Sequence, residues 1–440
     1  MLLETEKEFI EAAKRNDVET MKRLGKGLNI NARNVHNRTA LHFAVAGKNK
    51  EAVQLLLQRR VKVDQKDKYG VAPLHLAAWF GSLDIMKLLV QVGAEQKIEN
   101  EEGLNILHCA AINDHSEIVE YIINDLQMRE LDRDDQSECR PFALAAEHGC
   151  VQMLNTLMEP HNMATMKPNK RGDTPLHLAA RNGHLDAVQL LLQNMENVTC
   201  NVTENVCFQH LNAPLHLAVK NSHLPVIHSL LAAGCNINVT DKTSQTALHL
   251  AAESGRTEVV EMLLKAGMNL TLCDRQGKTA LGVAARANEV IIVDMIIKAE
   301  RYYAWRQVSE DTRTPSSAVS LGEYPLTFKL DHRHETKQLR SIAWRLAYEL
   351  LKAGDWKRLA EHWGFTKEQV SAISEQWTGQ RSYKEHGNRM LLIWLHGEEL
   401  TQRSPAKELY QALVHTGNGR AADKIRTEDE NISSKSCRVS

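Results

Sequence analysis

No two cysteines in this chain are spaced as CxxC. The eight present, at 109, 139, 150, 200, 207, 235, 273 and 437, are scattered over 440 residues. A chain this long needs no disulfide staples, so reduced thiols in a cytoplasmic protein are expected. Long apolar runs are also missing, which excludes a spanning helix. The acidic opening, Met1-Leu2-Leu3-Glu4-Thr5-Glu6, has no stretch resembling a secretory leader. Net charge is −1, leaving no global field to draw nucleic acid or an anionic membrane. Kinase-type glycine loops, GxSxG elbows and HExxH helices do not occur. Gly277-Lys278-Thr279 looks like the end of a phosphate loop, but position 272 is Leu where that loop needs Gly. Cys200, Cys207 and His210 cluster without a fourth ligand at zinc spacing. The expectation is therefore a protein that is not an enzyme, with no catalytic residue, no cofactor and no metal.

What the chain does have is a repeat. Thr39-Ala40-Leu41-His42 recurs as Ala72-Pro73-Leu74-His75, Asn105-Ile106-Leu107-His108, Thr174-Pro175-Leu176-His177, Ala213-Pro214-Leu215-His216 and Thr246-Ala247-Leu248-His249. Arg140-Pro141-Phe142-Ala143 and Thr279-Ala280-Leu281-Gly282 are weaker copies. The steps between third positions are 33, 33, 35, 34, 39, 33 and 33 residues, the long one holding an insertion near 198–211. In one unit, Asp67-Lys68-Tyr69-Gly70 suits a turn, position 72 caps a helix, and Pro73 takes the first helical position, where its missing N–H costs nothing. Leu74, Leu76, Ala77 and Ala78 make a short inner helix that Gly81 ends. Ile85, Met86, Leu88 and Leu89 give a second helix its apolar face. One unit cannot cover that face alone, so units must stack and share an apolar spine. This pattern resembles the ankyrin repeat.

The repeat pattern stops near 300. Tyr302, Tyr303 and Trp305 follow at once, and we expect them to fold back over the apolar end of the stack. Residues 308–335 carry Ser, Thr, Pro and mixed charge with little periodicity, as in a mobile connector. Aromatics are only 5% of the chain, yet five of its seven tryptophans (344, 356, 363, 377 and 394) fall within about fifty residues, marking a separate core. Six short helices are expected there, with Asp355 and Thr366 as N-caps and Gln369 closing a capping box. Asp355-Trp356-Lys357-Arg358-Leu359-Ala360, Gly364-Phe365-Thr366, Met390-Leu391-Leu392-Ile393-Trp394-Leu395 and Arg420-Ala421-Ala422-Asp423 resemble a death domain. The combination is similar to the ankyrin repeat and death domain-containing family, with fewer repeats than that family implies.

The expected architecture is all-α: a capping ankyrin-like unit over 1–34, eight repeats over 35–300, a linker over 301–335, a six-helix death-domain bundle over 336–426 and a disordered tail over 427–440. A protein ligand is expected on the concave face, at Trp79, Phe80, Asn113, His148, Arg181, Lys220 and Glu253. A death-fold partner is expected at Lys352, Lys357, Arg358 and Arg381. As the resemblance to ankyrin repeats implies, Asn31 and Asn238 match the register of asparagine hydroxylation, with an asparagine hydroxylase as a further partner. The function implied is a scaffold or adaptor in intracellular signal transduction. The alternative is a cytoplasmic inhibitor that sequesters a transcription factor through the repeats, similar to the inhibitory half of Rel precursors.

Overall fold

The computed structural model describes residues 3–24, 27–194, 212–311, 326–328, 333–377, 379–401 and 405–425. The insertion near 198–211, with Cys200, Cys207 and His210, and the segment read as a tail lie outside the described residues. Two compact units divide the chain at Cys235/Asn236. Among the described residues the regular structure is helical, apart from a single bridge between Cys273 and Thr279.

The first unit, Met1–Cys235, is a series of antiparallel helix pairs. It opens with Glu4–Lys14 and Val18–Leu24 and continues through Ala40–Ala46 with Lys50–Gln58, Pro73–Trp79 with Leu83–Gln91, and Ile106–Ile112 with Ser116–Glu120. Pro141–His148 with Val151–Met158, Pro175–Asn182 with Leu185–Asn194, and Pro214–Lys220 with Leu224–Ala232 complete it. Leu41, Leu74, Leu107, Phe142 and Leu176 are all fully buried, and Ala44, Ala77, Ala110, Ala145 and Ala179 beside them let neighbouring inner helices approach. Full burial of one such Leu contributes about 1.5–3 kcal/mol, an upper figure because the unfolded chain already hides some of it.

Buried polar groups bind each unit to the next. His75 Nδ1 accepts the Ala72 N–H at 3.1 Å, and its Nε2 donates to Leu104 O of the following unit at 3.1 Å. His42 does the same with Thr39 N–H and Val71 O, and His108 with Asn105 N–H and Cys139 O. One ring nitrogen must accept and the other donate, so these imidazoles are neutral. Burial agrees: it lowers the pKa of His75, His108 and His177 from 6.5 to about 4 each. The turns are linked as well. Asp67 Oδ1 accepts from Tyr69 and Val71 N–H, while Lys68 N–H reaches His36 O and Glu101 N–H reaches Tyr69 O.

Glycine is required where the inner helix ends against a ring of the next unit, as at Gly149, whereas Lys48, Asp114, Ser222 and Asn288 hold the equivalent left-handed position elsewhere. Gly149 sits at φ +72°, and a Cβ there would lie 2.6 Å from the His184 ring. Gly93, at φ +90°, faces open space. Gly149→Ala should therefore cost about 1–3 kcal/mol and lower the urea midpoint more than Gly93→Ala, which carries left-handed strain too but meets no neighbour. Equal midpoints would show that the ring packing is immaterial.

The second unit, Asn236–Ser440, contains further helix pairs, Ala247–Glu253 with Thr257–Lys265 and Ala280–Arg286 with Val290–Asp311, followed by the tryptophan-rich bundle. Leu248 and Leu281 are each 1% exposed, as deep as their counterparts in the first unit. The helix Val290–Asp311 runs without a break into the segment read as a linker. Tyr302, Tyr303 and Trp305 lie on this continuing helix and do not fold back as expected. Tyr302 is buried, and the Tyr303 hydroxyl donates back to Leu264 O. A helix with Ile292, Val293, Ile296 and Ile297 buried gains by extending, and nothing in its sequence stops it.

The bundle consists of His334–Arg345, which continues through a wider turn at Leu346–Leu350, then Asp355–His362, Lys367–Glu375, Ser382–Thr401, Pro405–His415 and a last turn over 419–425. Trp356 and Trp394 are core residues, and the Trp363 and Trp394 rings stack at 4.2 Å. Trp344 and Trp377 are not core: both are close to half exposed. Trp344 stacks instead on Tyr348, 4.9 Å away on the same helix. Thr366 caps its helix and closes a box with Gln369, as the sequence implies. Asp355 is not an N-cap. Gly354, at φ +95°, takes that place, and the buried Asp355 carboxylate accepts from Lys352 N–H at 2.8 Å.

Candidate protein-binding surfaces

The ends of the inner helices carry the residues expected to meet a ligand. In the first unit Trp79 ends Pro73–Trp79 and is 37% exposed, with Phe80 beside it half-buried. The backbone beneath them is held twice. Gly81 turns the chain at φ +69°, and the His115 Nε2 donates to Trp79 O at 2.9 Å. The indole is thus displayed on a fixed base, the arrangement that makes an aromatic an interface anchor. Tyr69, at the turn of the same repeat, is 54% exposed. Tyr69 was expected only as part of the Asp67–Gly70 turn and not as a ligand contact, although an aromatic at a turn tip was the available signal.

Several other candidates are partly engaged within the stack. Arg181 is paired with Asp173 at 2.6 Å, and its carbonyl accepts from Asn221 Nδ2 at 3.0 Å and His223 Nε2 at 2.9 Å. Asn182 Nδ2 donates to Glu147 O, and Asn113 Nδ2 to Cys109 O. Lys220 is exposed and its ammonium lies 3.3 Å from Asn212 Oδ1. His148 is exposed in the first unit and Glu253 in the second. Asn31 and Asn238 serve as braces: the Asn31 Oδ1 accepts Lys62 N–H at 2.9 Å, and the Asn238 Oδ1 accepts Asn269 N–H at 2.8 Å. Their side chains thus tie successive loops together.

On the bundle, Lys352, Lys357, Arg358 and Arg381 are all exposed. Lys357 stands 5.6 Å above the Trp356 ring, and Arg358 pairs with Asp355 at 2.5 Å. Lys384 instead donates to Tyr348 O at 2.6 Å. A second bundle face is occupied from within the same unit. Arg389 is 4% exposed and grips Asp294 of the last ankyrin helix with Nη2 at 2.6 Å and Nε at 3.0 Å. Gln369 Nε2 donates to Glu300 at 2.7 Å, and Thr279 Oγ1 to Glu368 at 2.5 Å. Arg301 lies 4.1 Å over the Phe365 ring and donates to Trp363 O. Burial raises the Glu300 carboxyl to about 7, and it also raises Asp294, against the pull of Arg389.

Models of the ankyrin repeat match residues 9–100, 92–166, 142–241 and 215–304, well over half the chain, and a death-domain model matches 344–428. The chain is an ankyrin-repeat protein with a death domain after the repeats. Mouse Rabankyrin-5 is 28% identical over 48% of this ankyrin–death-domain protein and 19% of its own length. Human transient receptor potential cation channel subfamily A member 1 is 29% identical over 42% of this chain and 14% of its own. A probable E3 ubiquitin-protein ligase of rice, XBOS32, is 30% identical over 34% of this chain and 30% of its own. The chain thus spans less than a third of each of these relatives. Both modules are non-catalytic interaction modules. Among the described residues no helix is long and apolar enough to cross a membrane.

Proposed function

We propose that this protein is a non-enzymatic cytoplasmic adaptor in intracellular signal transduction. The repeats hold a protein ligand at the ends of their inner helices, and the death domain recruits a death-fold domain through exposed basic side chains. The observation that carries this reading is Trp79. Its indole stands out from the end of the inner helix on a backbone fixed by Gly81 and His115. Exposed Tyr69 in the same repeat extends the aromatic surface. The partner of the death domain would be acidic, because Lys352, Lys357, Arg358 and Arg381 are all exposed and charged helix faces steer encounter more than they set affinity.

Trp79→Ala with Phe80→Ala should reduce capture of the repeat ligand at least tenfold, since an anchor contributes about 2 kcal/mol or more. Proximity labelling of the full chain and of the double variant, followed by pull-down of the enriched protein, measures this. Unchanged capture would remove the aromatic site. The Asn31 and Asn238 expectation has a separate check. Intact mass of protein from cells should show added oxygen if either is hydroxylated, and an unmodified mass would dismiss a hydroxylase partner.

A further inference from the structure

The turn tips of the first unit are joined into one ribbon. Lys68 N–H donates to His36 O at 2.9 Å, Glu101 N–H to Tyr69 O at 3.1 Å, Gln136 N–H to Glu102 O at 3.1 Å and Lys170 N–H to Ser137 O at 2.9 Å. Each tip is thus pinned to the one before it. The side chains along the ribbon change character in blocks. Val35, 90% exposed, and the exposed Tyr69 stand on the first two tips, and Trp79 belongs to the second of those repeats. Lys68, also exposed, adds a cation beside Tyr69. The third tip carries Glu101 and Glu102, the fourth the uncharged Gln136 and Ser137, and the fifth Lys170 and Arg171, all exposed. Other charges in the stack are matched across successive repeats: Lys50 pairs with Asp84 at 2.8 Å, Lys97 with Glu130 at 3.1 Å and Lys167 with Asp134 at 2.5 Å. Glu101, Glu102, Lys170 and Arg171 make no ion pair among the described residues. Adjacent like charges repel, and opposite charge brought from outside relieves them.

We propose that this ribbon selects an extended peptide segment of the protein ligand by the order of its blocks: apolar against Val35 and Tyr69, basic against Glu101 and Glu102, acidic against Lys170 and Arg171. The inference rests on the reading that the repeats hold a protein ligand beside Trp79, and it names the chemistry of that ligand. The spacing follows from the stack. Neighbouring helices pack about 8–10 Å apart, and an extended chain advances about 3.3 Å per residue, so about three ligand residues match one repeat. The basic block then lies about three residues from the apolar one, and the acidic block about six residues beyond it. A segment of about twelve residues spans all three. Because the tips are already pinned to one another, the protein loses little freedom in receiving it. A segment with its charged blocks exchanged sets like charge against like at two places, which is how a surface rejects wrong partners.

Two labelled peptides of equal composition test this by fluorescence anisotropy with the full chain. One carries paired leucines, then paired lysines, then paired glutamates at those spacings in a glycine–serine background. The other has the lysine and glutamate pairs exchanged. The first should bind about tenfold tighter than the second, and the gap should narrow as salt is raised. In a variant with Glu101→Lys, Glu102→Lys, Lys170→Glu and Arg171→Glu the preference should invert. All four positions are exposed, and an inverted preference is itself a property of a folded stack. Equal affinity for the two peptides overturns the block order. If Trp79→Ala with Phe80→Ala then weakens both peptides alike, the aromatic ligand site stands without it. A preference that does not move in the fourfold variant overturns the proposal too, by placing selection away from the ribbon. Failure of both peptides to bind also overturns it, while capture of the cellular ligand through Trp79 is read independently.

Discussion

Acidification from pH 7.5 to pH 5 should strip about 6 kcal/mol from the folding stability of the Met1–Cys235 repeats. His75, His108 and His177 are buried and neutral, each with its pKa lowered to about 4 by desolvation. In the unfolded chain each returns to about 6.5. Between these values the unfolded state binds more protons, so stability is complete above about pH 6.5 and is lost as pH falls toward 4. At pH 5 each imidazole forfeits about 2 kcal/mol. The sum is comparable to the whole stability of a typical domain, about 5–15 kcal/mol. Protonation also removes the Nδ1 acceptor that holds the cap N–H of Ala72, Asn105 or Thr174. Urea midpoints followed by circular dichroism at pH 7.5, 6.5, 5.5 and 5 should fall steadily below 6.5 and be flat above it. A midpoint unchanged down to pH 5 would mean that these rings are hydrated or already paired differently.

Phe142→Ala should cost about 3–5 kcal/mol, the usual price of emptying a fully buried aromatic site. Phe142 occupies the Leu position of the tetrapeptide and is fully buried. The next residue is Ala143 where six of the eight copies have His, so this unit lacks the imidazole bridge that ties its neighbours. Its hold on adjacent units falls more heavily on packing, and a void there should weaken both flanking interfaces. The stack should then unfold in two steps, with the break near 140–160. Hydrogen exchange would show loss of protection centred on Pro141–Met158. A loss below about 1 kcal/mol, the mark of a site that collapses easily, would show that neighbouring side chains close the gap.

The repeat was legible in the sequence because its information is local and redundant. A cap, a Leu, a His and a Gly recur in fixed order, and each has one geometric job. The death domain was legible from clustered tryptophans and the Thr366–Gln369 box. Reading failed where burial depends on distant segments. Trp344 and Trp377 have the composition of core residues, yet both stand close to half exposed. Asp355 has the sequence signature of a cap, but Gly354 with a left-handed backbone took the position and left the carboxylate to bond Lys352. Tyr302 and Trp305 suggested a folded-back cap because the sequence shows no continuing apolar surface for their helix to follow.

By itself the sequence determined the repeat and the presence of two module types, since these follow from residues a few positions apart, whereas the imidazole bridges reach carbonyls about 30 positions away and needed the structure. Only the tertiary structure decided that Arg181 is engaged by Asp173, that Asn31 and Asn238 brace neighbouring loops, and that Arg389 is bound to Asp294 rather than free for a partner. Those outcomes depend on which side chains arrive within about 3 Å of one another. Residues separated by 95 positions along the chain carry no local mark of such a meeting.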